Sequence, residues 1–227
     1  FLLKQVLVNK KKCTKICNGV DTEYFSPIEP AKKDLLPKGF LPEDALLIGT
    51  VGRLETVKNQ LMLVDGFIRL LQRDPDLKKR LRLMLVGDGT MRTVIEKRIC
   101  EAGIGQLVWM TGARNDVAEL MATLDVFVLP SKAEGISNTI LEAMATGLPV
   151  IATDVGGNAQ LVLDAETGFI IPSDAPSMLA DKLYEYVNKP EFLESHAKAG
   201  RLRAEQQFSL QHMINQYQTV YEELLAN

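Results

Sequence analysis

The 227-residue sequence has few of the residues that mark a small secreted, metal-bound or membrane-spanning protein. It has three cysteines, Cys13, Cys17 and Cys100, with no second CxxC-like pair, and two histidines. This inventory argues against a disulfide framework or a zinc site and suits a reducing compartment. No apolar run approaches the length of a membrane span. We therefore expect a soluble chain.

The sequence also lacks an excess of positive charge. Lys and Arg total 26 against 29 Asp and Glu, a formal net charge of -3. Because nucleic acid is held largely by neutralising its phosphates with cations, we expect no nucleic-acid partner. The cationic run Lys10, Lys11 and Lys12 is too short to anchor a duplex or an anionic membrane and is expected to be solvated. With 46% hydrophobic and 24% charged residues, the chain has the composition of an ordinary globular protein.

Short apolar runs alternate with segments of helical period along most of the chain. The runs occupy residues 46–52, 81–87, 107–110, 125–130, 149–153 and 168–172. Their continuous hydrophobicity indicates strands buried on both faces, and parallel strands need crossover helices. The pattern predicts an α/β fold with a Rossmann-like parallel sheet of about six strands, helices on both faces, and additional C-terminal helices.

The predicted organisation has three parts. Residues 1–20 form the end of a preceding region or linker, 21–190 the Rossmann-like domain, and 191–227 the C-terminal helices. The chain begins at Phe1, in the middle of an apolar pattern, so we expect it to be a piece of a larger protein.

In an open parallel sheet, ligands bind at the carboxyl ends of the strands. The loop after the first run contains Gly52, Arg53 and Lys58. The glycine permits close approach of a ligand to the backbone, and the two cations suit a diphosphate, although they could also be ordinary surface charges near a helix start.

The next two loops face the same edge of the predicted sheet. Gly87 and Gly89 flank a tight turn, which could equally be a simple strand-to-helix connector. Ala113 and Arg114 follow the third run, where the arginine plane could border a flat base or remain solvated. Each signal is weak alone, because neither loop matches a dinucleotide or P-loop fingerprint.

The loop after the fourth run carries the densest set of candidates. Glu134 lies in the loop, Glu142 is expected in the first helical turn, and backbone amides between them could hold phosphate. The Glu142 carboxylate could accept from two ribose hydroxyls. Alternatively, Thr139-x-x-Glu142 fits a capping box, in which the glutamate only satisfies a helix amide. The candidate amides are those of Gly135, Ile136, Ser137, Asn138 and Thr139.

Two other features are not assigned to a site. Asp74-Pro75-Asp76 has the DxD pattern of metal–diphosphate sites, but it follows a predicted helix and precedes a strand, at the opposite edge of the sheet, so a turn is expected. His196 and His212 lie in the C-terminal helices, away from the loops, so neither is expected to act as a general base.

Four segments together resemble a known family. They are CNGVDT at 17–22, GRL-x3-K at 52–58, GDG at 87–89, and EGISNTILEAMATGLPVIATDVGGNAQLV at 134–162. In this order they resemble the C-terminal, donor-binding half of a GT-B glycosyltransferase of the retaining group 4 (group 1) type. The resemblance runs from about residue 14 to about 190.

The resemblance implies a role for each candidate residue. Arg53 and Lys58 would neutralise the diphosphate of a UDP-, GDP- or ADP-linked sugar donor, and Glu134 would hold the transferred sugar; these three are the expected catalytic residues. Glu142 would take the ribose hydroxyls, and the loop at Ala113 and Arg114 would border the base. Gly52, Gly87, Gly89 and the 135–139 amides would complete the site. No bound metal and no further cofactor are implied, since the cation pair would replace the metal.

The same resemblance implies a hexosyl transferase acting with retention in polysaccharide or glycolipid synthesis, inactive without its N-terminal half. A narrower likeness is to bacterial exopolysaccharide or PEP-CTERM-associated sugar transferases. The expected partners are a saccharide or lipid-linked acceptor and the N-terminal GT-B domain, with a cytoplasmic location and peripheral membrane association through that domain. A non-catalytic nucleotide-sugar-binding module is an alternative. A GT-B-type epimerase is disfavoured by the glutamate spacing.

Overall fold

The fold is a six-stranded parallel sheet flanked by helices, seen in a computed structural model that describes residues 13–27 and 35–226. The strands are β1 (Leu46–Val51), β2 (Leu81–Val86), β3 (Val108–Gly112), β4 (Val126–Leu129), β5 (Val150–Thr153) and β6 (Gly168–Ile171). They lie in the order β3-β2-β1-β4-β5-β6, and every pair is parallel. The predicted fold class is confirmed. Lys10, Lys11 and Lys12 lie outside the described residues.

Each strand is followed by a helix, as the six-fold alternation predicts. The helices are α1 (Gln60–Arg73), α2 (Arg92–Glu101), α3 (Val117–Ala122), α4 (Asn138–Ala145), α5 (Asn158–Leu161) and α6 (Pro176–Asn188), followed by α7 (Pro190–Gln207) and α8 (Leu210–Leu225). Short 3₁₀ helices span Pro75–Lys79 and Gly105–Leu107. Helix α1 begins at Gln60, because Asn59 before it has a left-handed backbone (φ 53°). Lys58 therefore belongs to the loop.

Two hydrophobic clusters cover the two faces of the sheet. Consecutive residues of β1 belong to different clusters: Ile48 packs with Phe67 of α1, whereas Leu47 packs with Met144 of α4. All four residues of β4 and all four of β5 are buried. Burial on both sides explains why these strands read as continuous apolar runs instead of alternating ones.

The strand order changes direction between β1 and β4. β1 pairs with β2 on one side and with β4 on the other, so the connections that leave β1 and β4 diverge to opposite faces of the sheet. Such a switch point opens a crevice at the carboxyl ends of the strands, where ligands bind in open α/β sheets. The backbone amide of Lys132 donates to the Val57 carbonyl at 2.8 Å, which joins the two loops at this point.

The segment of residues 13–27 packs onto the helices behind the sheet. The Val20 amide donates to the Phe208 carbonyl at 2.8 Å, and the Leu210 amide donates to the Val20 carbonyl at 3.0 Å. Arg201 of α7 donates through Nη1 to the carbonyls of Thr22 and Phe25, each at 3.0 Å, and also to that of Ala145. This segment is thereby attached to the end of α4. The boundaries at residues 20 and 190 stay a prediction.

Candidate functional site

The centre of the candidate site is an ion pair between the loops that follow β1 and β4. Lys58 Nζ lies 2.6 Å from Glu134 Oε1, and the side chains are 25% and 9% exposed. Ser131 Oγ donates to the same carboxylate oxygen at 2.7 Å. Two residues 76 positions apart in sequence are thus brought together at the switch point, because β1 and β4 are neighbours in the sheet.

The second expected cation, Arg53, is exposed, and its guanidinium makes no ion pair with the described residues. Its backbone carbonyl accepts from Gln60 Nε2 at 2.9 Å, and Gln60 is 2% exposed. The buried amide of Gln60 therefore fixes the backbone at Arg53 from the first turn of α1, while the charged end of the arginine remains available.

The GDG turn after β2 packs directly on the loop after β1. Because Val51 pairs with Val86 in the sheet, Gly52 and Gly87 emerge side by side. A Cβ on Gly87 would lie 2.0 Å from the Gly52 carbonyl oxygen, and one on Gly89 would lie 2.5 Å from that of Leu54. Contact between loops therefore explains these two glycines without a ligand, and their role in binding stays a prediction.

The loop after β3 is anchored to the same group of loops. The Gly87 amide donates to the Gly112 carbonyl at 2.9 Å. Ala113 and Arg114 are exposed, and Arg114 Nε donates to Asp116 Oδ1 at 2.7 Å, with Nη2 on the other carboxylate oxygen. This forked contact lowers the pKa of Asp116. Arg114 is thus exposed and ion-paired with Asp116, and its place beside a base stays a prediction.

The start of α4 differs from the sequence prediction. The N-cap is Ser137, whose hydroxyl accepts from the Ile140 amide at 3.4 Å, and the helix begins at Asn138. Glu142 is the fifth helical residue and lies in the second turn. The alternative reading of a capping box between Thr139 and Glu142 is wrong, because Thr139 is already helical and the N-cap is Ser137.

Glu142 borders a small cavity of about 110 Å³ on the side of the 13–27 segment. Burial raises the pKa of the half-buried Glu142 carboxyl. Asn18 Nδ2 donates to Asn138 Oδ1 at 2.8 Å, which joins the CNGVDT motif to the first residue of α4. The sequence shows the CNGVDT motif, but the distance along the chain between this motif and α4 does not predict that the two are in contact. The cavity is lined by Gly19, Val20, Asp21, Phe25, Asn138, Leu141 and Glu142.

The residues between the two glutamates are not equivalent. Gly135 and Asn138 are exposed, Ile136 and Thr139 are half-buried, and Ser137 is buried. The Gly135 carbonyl accepts from the Gly157 amide at 2.8 Å, so the loop after β5 supports this segment. The binding of a ligand by the five backbone amides of residues 135–139 remains a prediction.

The features left unassigned lie elsewhere, as predicted. Asp74 Oδ1 accepts from the Asp76 amide at 3.1 Å in a turn before β2. His196 is 4% exposed, and its Nδ1 lies 2.9 Å from the Tyr186 hydroxyl. Within residues 13–27 and 35–226 there is no group of three potential metal ligands. No helix in that part of the chain combines the length and apolar character needed to cross a membrane.

Residues 45–189 match the sequence profile of the family described as "Glycosyl transferases group 1". The match spans the sheet from the start of β1 to the end of α6. The chain belongs to this family.

Curated relatives of this chain are named as glycosyltransferases. The chain is 31% identical over 216 residues to the lipopolysaccharide core biosynthesis mannosyltransferase LpsB of Rhizobium meliloti, covering 93% of this chain and 61% of that protein. It is 29% identical to the UDP-Gal:alpha-D-GlcNAc-diphosphoundecaprenol alpha-1,3-galactosyltransferase of Escherichia coli, covering 99% of this chain and 58% of that protein. The chain thus spans about 60% of the length of these relatives.

Solved structures share the fold. A glycosyltransferase from Rickettsia africae superposes with a TM-score of 0.87 at 23% identity, covering 100% of this chain and 61% of that one. Anabaena Alr3699/HepE in complex with UDP gives a TM-score of 0.84 at 24% identity, covering 98% of this chain and 60% of that one. The sheet with its C-terminal helices corresponds to one half of a GT-B fold.

Proposed function

We propose that this chain is the donor-binding half of a retaining glycosyltransferase that takes a sugar from a nucleotide diphosphate. The observation that carries the proposal is the Lys58–Glu134 pair at the switch point between β1 and β4. This pair places a cation beside a carboxylate at the carboxyl ends of the parallel strands. The cation provides a positive charge for a diphosphate, and the adjacent carboxylate provides a hydrogen-bond acceptor for sugar hydroxyls.

The surrounding residues supply the remaining functions. Arg53 adds a second positive charge on the same loop, and its exposed guanidinium can form a two-pronged contact with phosphate. Glu142 is the acceptor for the ribose hydroxyls, on the side of α4 that faces the 13–27 segment. The loop at Ala113 and Arg114 borders the base, with the arginine plane oriented by Asp116.

The reaction that we propose breaks the bond between the anomeric carbon and the leaving phosphate oxygen and forms one to an acceptor oxygen on the same face. The acceptor proton passes to the leaving phosphate. Arg53 and Lys58 stabilise the negative charge that develops on that phosphate, which is the role a metal ion would otherwise have. We propose that no metal is required.

The names of the relatives support a saccharide or lipid-linked acceptor and a role in cell-surface polysaccharide or glycolipid synthesis. Since those proteins are longer than this chain, we propose that the acceptor site and any peripheral contact with a membrane belong to an N-terminal GT-B half. HepE, which has the same fold, was solved with UDP and with UDP-glucose, and this makes a uridine nucleotide the first donor to test.

Isothermal calorimetry of the 227-residue chain with UDP, GDP and ADP tests the proposal. We expect at least one of them to bind, with the same affinity in EDTA and in magnesium. Absence of binding by all three at millimolar concentration would contradict a donor site in this chain. Binding that needs magnesium would contradict the proposed role of the two cations. Activity that appears on addition of an N-terminal half would separate an enzyme from a pure binding module.

A further inference from the structure

Ser131 is a buried hydroxyl that contacts the candidate site and that the sequence did not indicate. It is 0% exposed, directly follows Pro130 after β4, and donates through Oγ to Glu134 Oε1 at 2.7 Å. A buried hydroxyl must find a partner, because losing its hydrogen bonds to water is costly. Here the partner is the carboxylate that we assign to the sugar.

Both protein donors to this carboxylate use the same oxygen. Lys58 Nζ and Ser131 Oγ each contact Oε1, while none of the described residues donates to Oε2. A carboxylate can accept about four hydrogen bonds over its two oxygens. Two donors on one oxygen fix the plane of the group and leave the other oxygen available for a ligand.

Ser131 is itself held in place from the neighbouring strand. Thr153, at the end of β5 and 0% exposed, donates through Oγ1 to the Ser131 carbonyl at 2.6 Å. At the next residue, the Lys132 amide donates to the Val57 carbonyl at 2.8 Å. The backbone around Ser131 is thus bonded both to β5 and to the loop after β1, so its hydroxyl has little freedom to move.

We propose that Ser131 is a positioning residue: its hydroxyl orients Glu134 so that Oε2 accepts a hydroxyl of the sugar on the donor. The inference rests on the proposed function, in which Glu134 holds that sugar. A purely structural serine would affect stability alone. A positioning serine must also change the affinity that the sugar adds to the nucleotide.

The test compares each nucleotide with its sugar conjugate on the 227-residue chain. The probes are UDP with UDP-glucose, GDP with GDP-mannose and ADP with ADP-glucose. The measured quantity is the dissociation constant of the nucleotide divided by that of its sugar conjugate, for the pair that the native chain binds. In Ser131→Ala we expect this ratio to fall about 5- to 10-fold, because Glu134 keeps its charge but loses the hydrogen bond that orients its plane. Affinity for the nucleotide alone should not change, and Ser131→Thr should keep most of the ratio.

Two further variants make the outcome specific. Thr123 is 0% exposed, and its hydroxyl donates to the Leu120 carbonyl at 2.7 Å. Thr123→Val therefore deletes another buried hydroxyl, and it should leave the ratio unchanged. In Glu134→Ala, which should lower the ratio by itself, adding Ser131→Ala should have no further effect, because the hydroxyl acts through the carboxylate.

The two hypotheses fail in different ways. A normal ratio in Ser131→Ala together with a lowered ratio in Glu134→Ala would overturn the role of Ser131 alone. A normal ratio in Glu134→Ala, or no binding of any of the three pairs, would overturn the proposed function and this inference with it.

Discussion

Lys58 and Glu134 are each other's partners before any ligand arrives. Their contact of 2.6 Å occupies one of the three N–H donors of Lys58 before a diphosphate binds, whereas Arg53 makes no ion pair with the described residues. The two cations of the loop after β1 therefore differ in their state before binding, although the sequence presents them as a matched pair.

Replacing either cation should weaken diphosphate binding. For Arg53→Ala and for Lys58→Ala we expect a loss of about 1.5–3 kcal/mol in the binding free energy of UDP or GDP, since each makes a charge-assisted hydrogen bond. Affinity for the nucleoside should change little. Calorimetry with nucleoside and diphosphate measures both, and Lys79→Ala, a cation paired with Asp76 at the opposite edge of the sheet, is the matched control. Equal losses for nucleoside and diphosphate would show that the cations do not contact phosphate.

Glu142 can be tested through binding and through pH. Without its charge, Glu142→Gln should bind ribonucleotides about 1–3 kcal/mol more weakly. The penalty for a 2′-deoxyribonucleotide should be large in the native chain and small in the variant. An unchanged deoxy penalty would remove Glu142 from the ribose site.

The pH dependence of stability gives Glu142 a second measurement. Burial raises the pKa of this carboxyl above 4.5, so the folded state favours the protonated form and loses stability as the pH rises through the raised pKa. Glu142→Gln should therefore unfold with a higher free energy than the native chain at neutral pH. The difference should vanish as the pH falls to about 4.5. Urea unfolding at several pH values measures this difference. A stability gain of Glu142→Gln that persists at low pH would show that folding does not raise the pKa of Glu142.

At the scale of elements, the loop after β4 is held by the loop after β5. Gly156 has φ 58°, and a Cβ there would lie 2.0 Å from the Glu134 carbonyl oxygen. The Gly157 amide donates to the Gly135 carbonyl at 2.8 Å. Because the contact is between backbones, no side-chain rearrangement can make room for a larger residue. The position of Glu134 therefore depends on a loop that carries no charged candidate of its own.

Alanine at Gly156 should be far more damaging than alanine at another left-handed glycine. Gly103 has φ 64° and open space around its missing Cβ, so Gly103→Ala should cost about 1 kcal/mol from backbone strain alone. Gly156→Ala adds the clash and should cost about 3 kcal/mol or more. It should also abolish the extra affinity given by the sugar. Urea unfolding and calorimetry measure the two effects, and similar losses for both variants would contradict the proposed contact.

At the scale of the whole molecule, one buried ring connects the C-terminal helices to the sheet. His196 of α7 packs on Phe169 of β6 at 5.0 Å between ring centroids and contacts the Tyr186 hydroxyl of α6. Burial lowers the pKa of His196 below 6.5, although a hydrogen bond with the Ala165 backbone and the charges of Asp164 and Glu185 act in the opposite direction. The lowered pKa favours the neutral form of the ring in the folded chain, and this ring joins α6, α7 and β6.

Stability should fall as this histidine is forced to take up a proton. A lowered pKa gives stability that is present above about pH 6.5 and is lost as the pH falls through the folded-state value. His196→Gln should be less stable than the native chain at pH 7, since ring packing is lost, but should show a flatter pH dependence between pH 7 and 5. Urea unfolding across this range is the measurement, with His212→Gln on α8 as the control. A slope equal to that of the native chain would exclude His196 as its source.

Much of this architecture follows from local pattern. The six apolar runs and the helices between them predicted the parallel sheet, because continuous burial and crossover connections leave a direct record in the sequence. The loops carrying Arg53, Lys58 and Glu134 were likewise found from the rule that ligands meet the carboxyl ends of strands. Family motifs added the expected role of each residue.

By itself, the sequence determined the elements, their parallel arrangement and the candidate loops, since these depend on residues close together along the chain. Only the tertiary structure decided which residues meet: Ser131 with Glu134, Asn18 with Asn138, and Gly156 with the Glu134 backbone. The capping box was wrong for a related reason, because Ser137 and Thr139 both fit a cap by type, and the backbone placed Ser137 there. Contacts between distant loops follow from strand order, and the sequence alone does not encode that order in any local pattern.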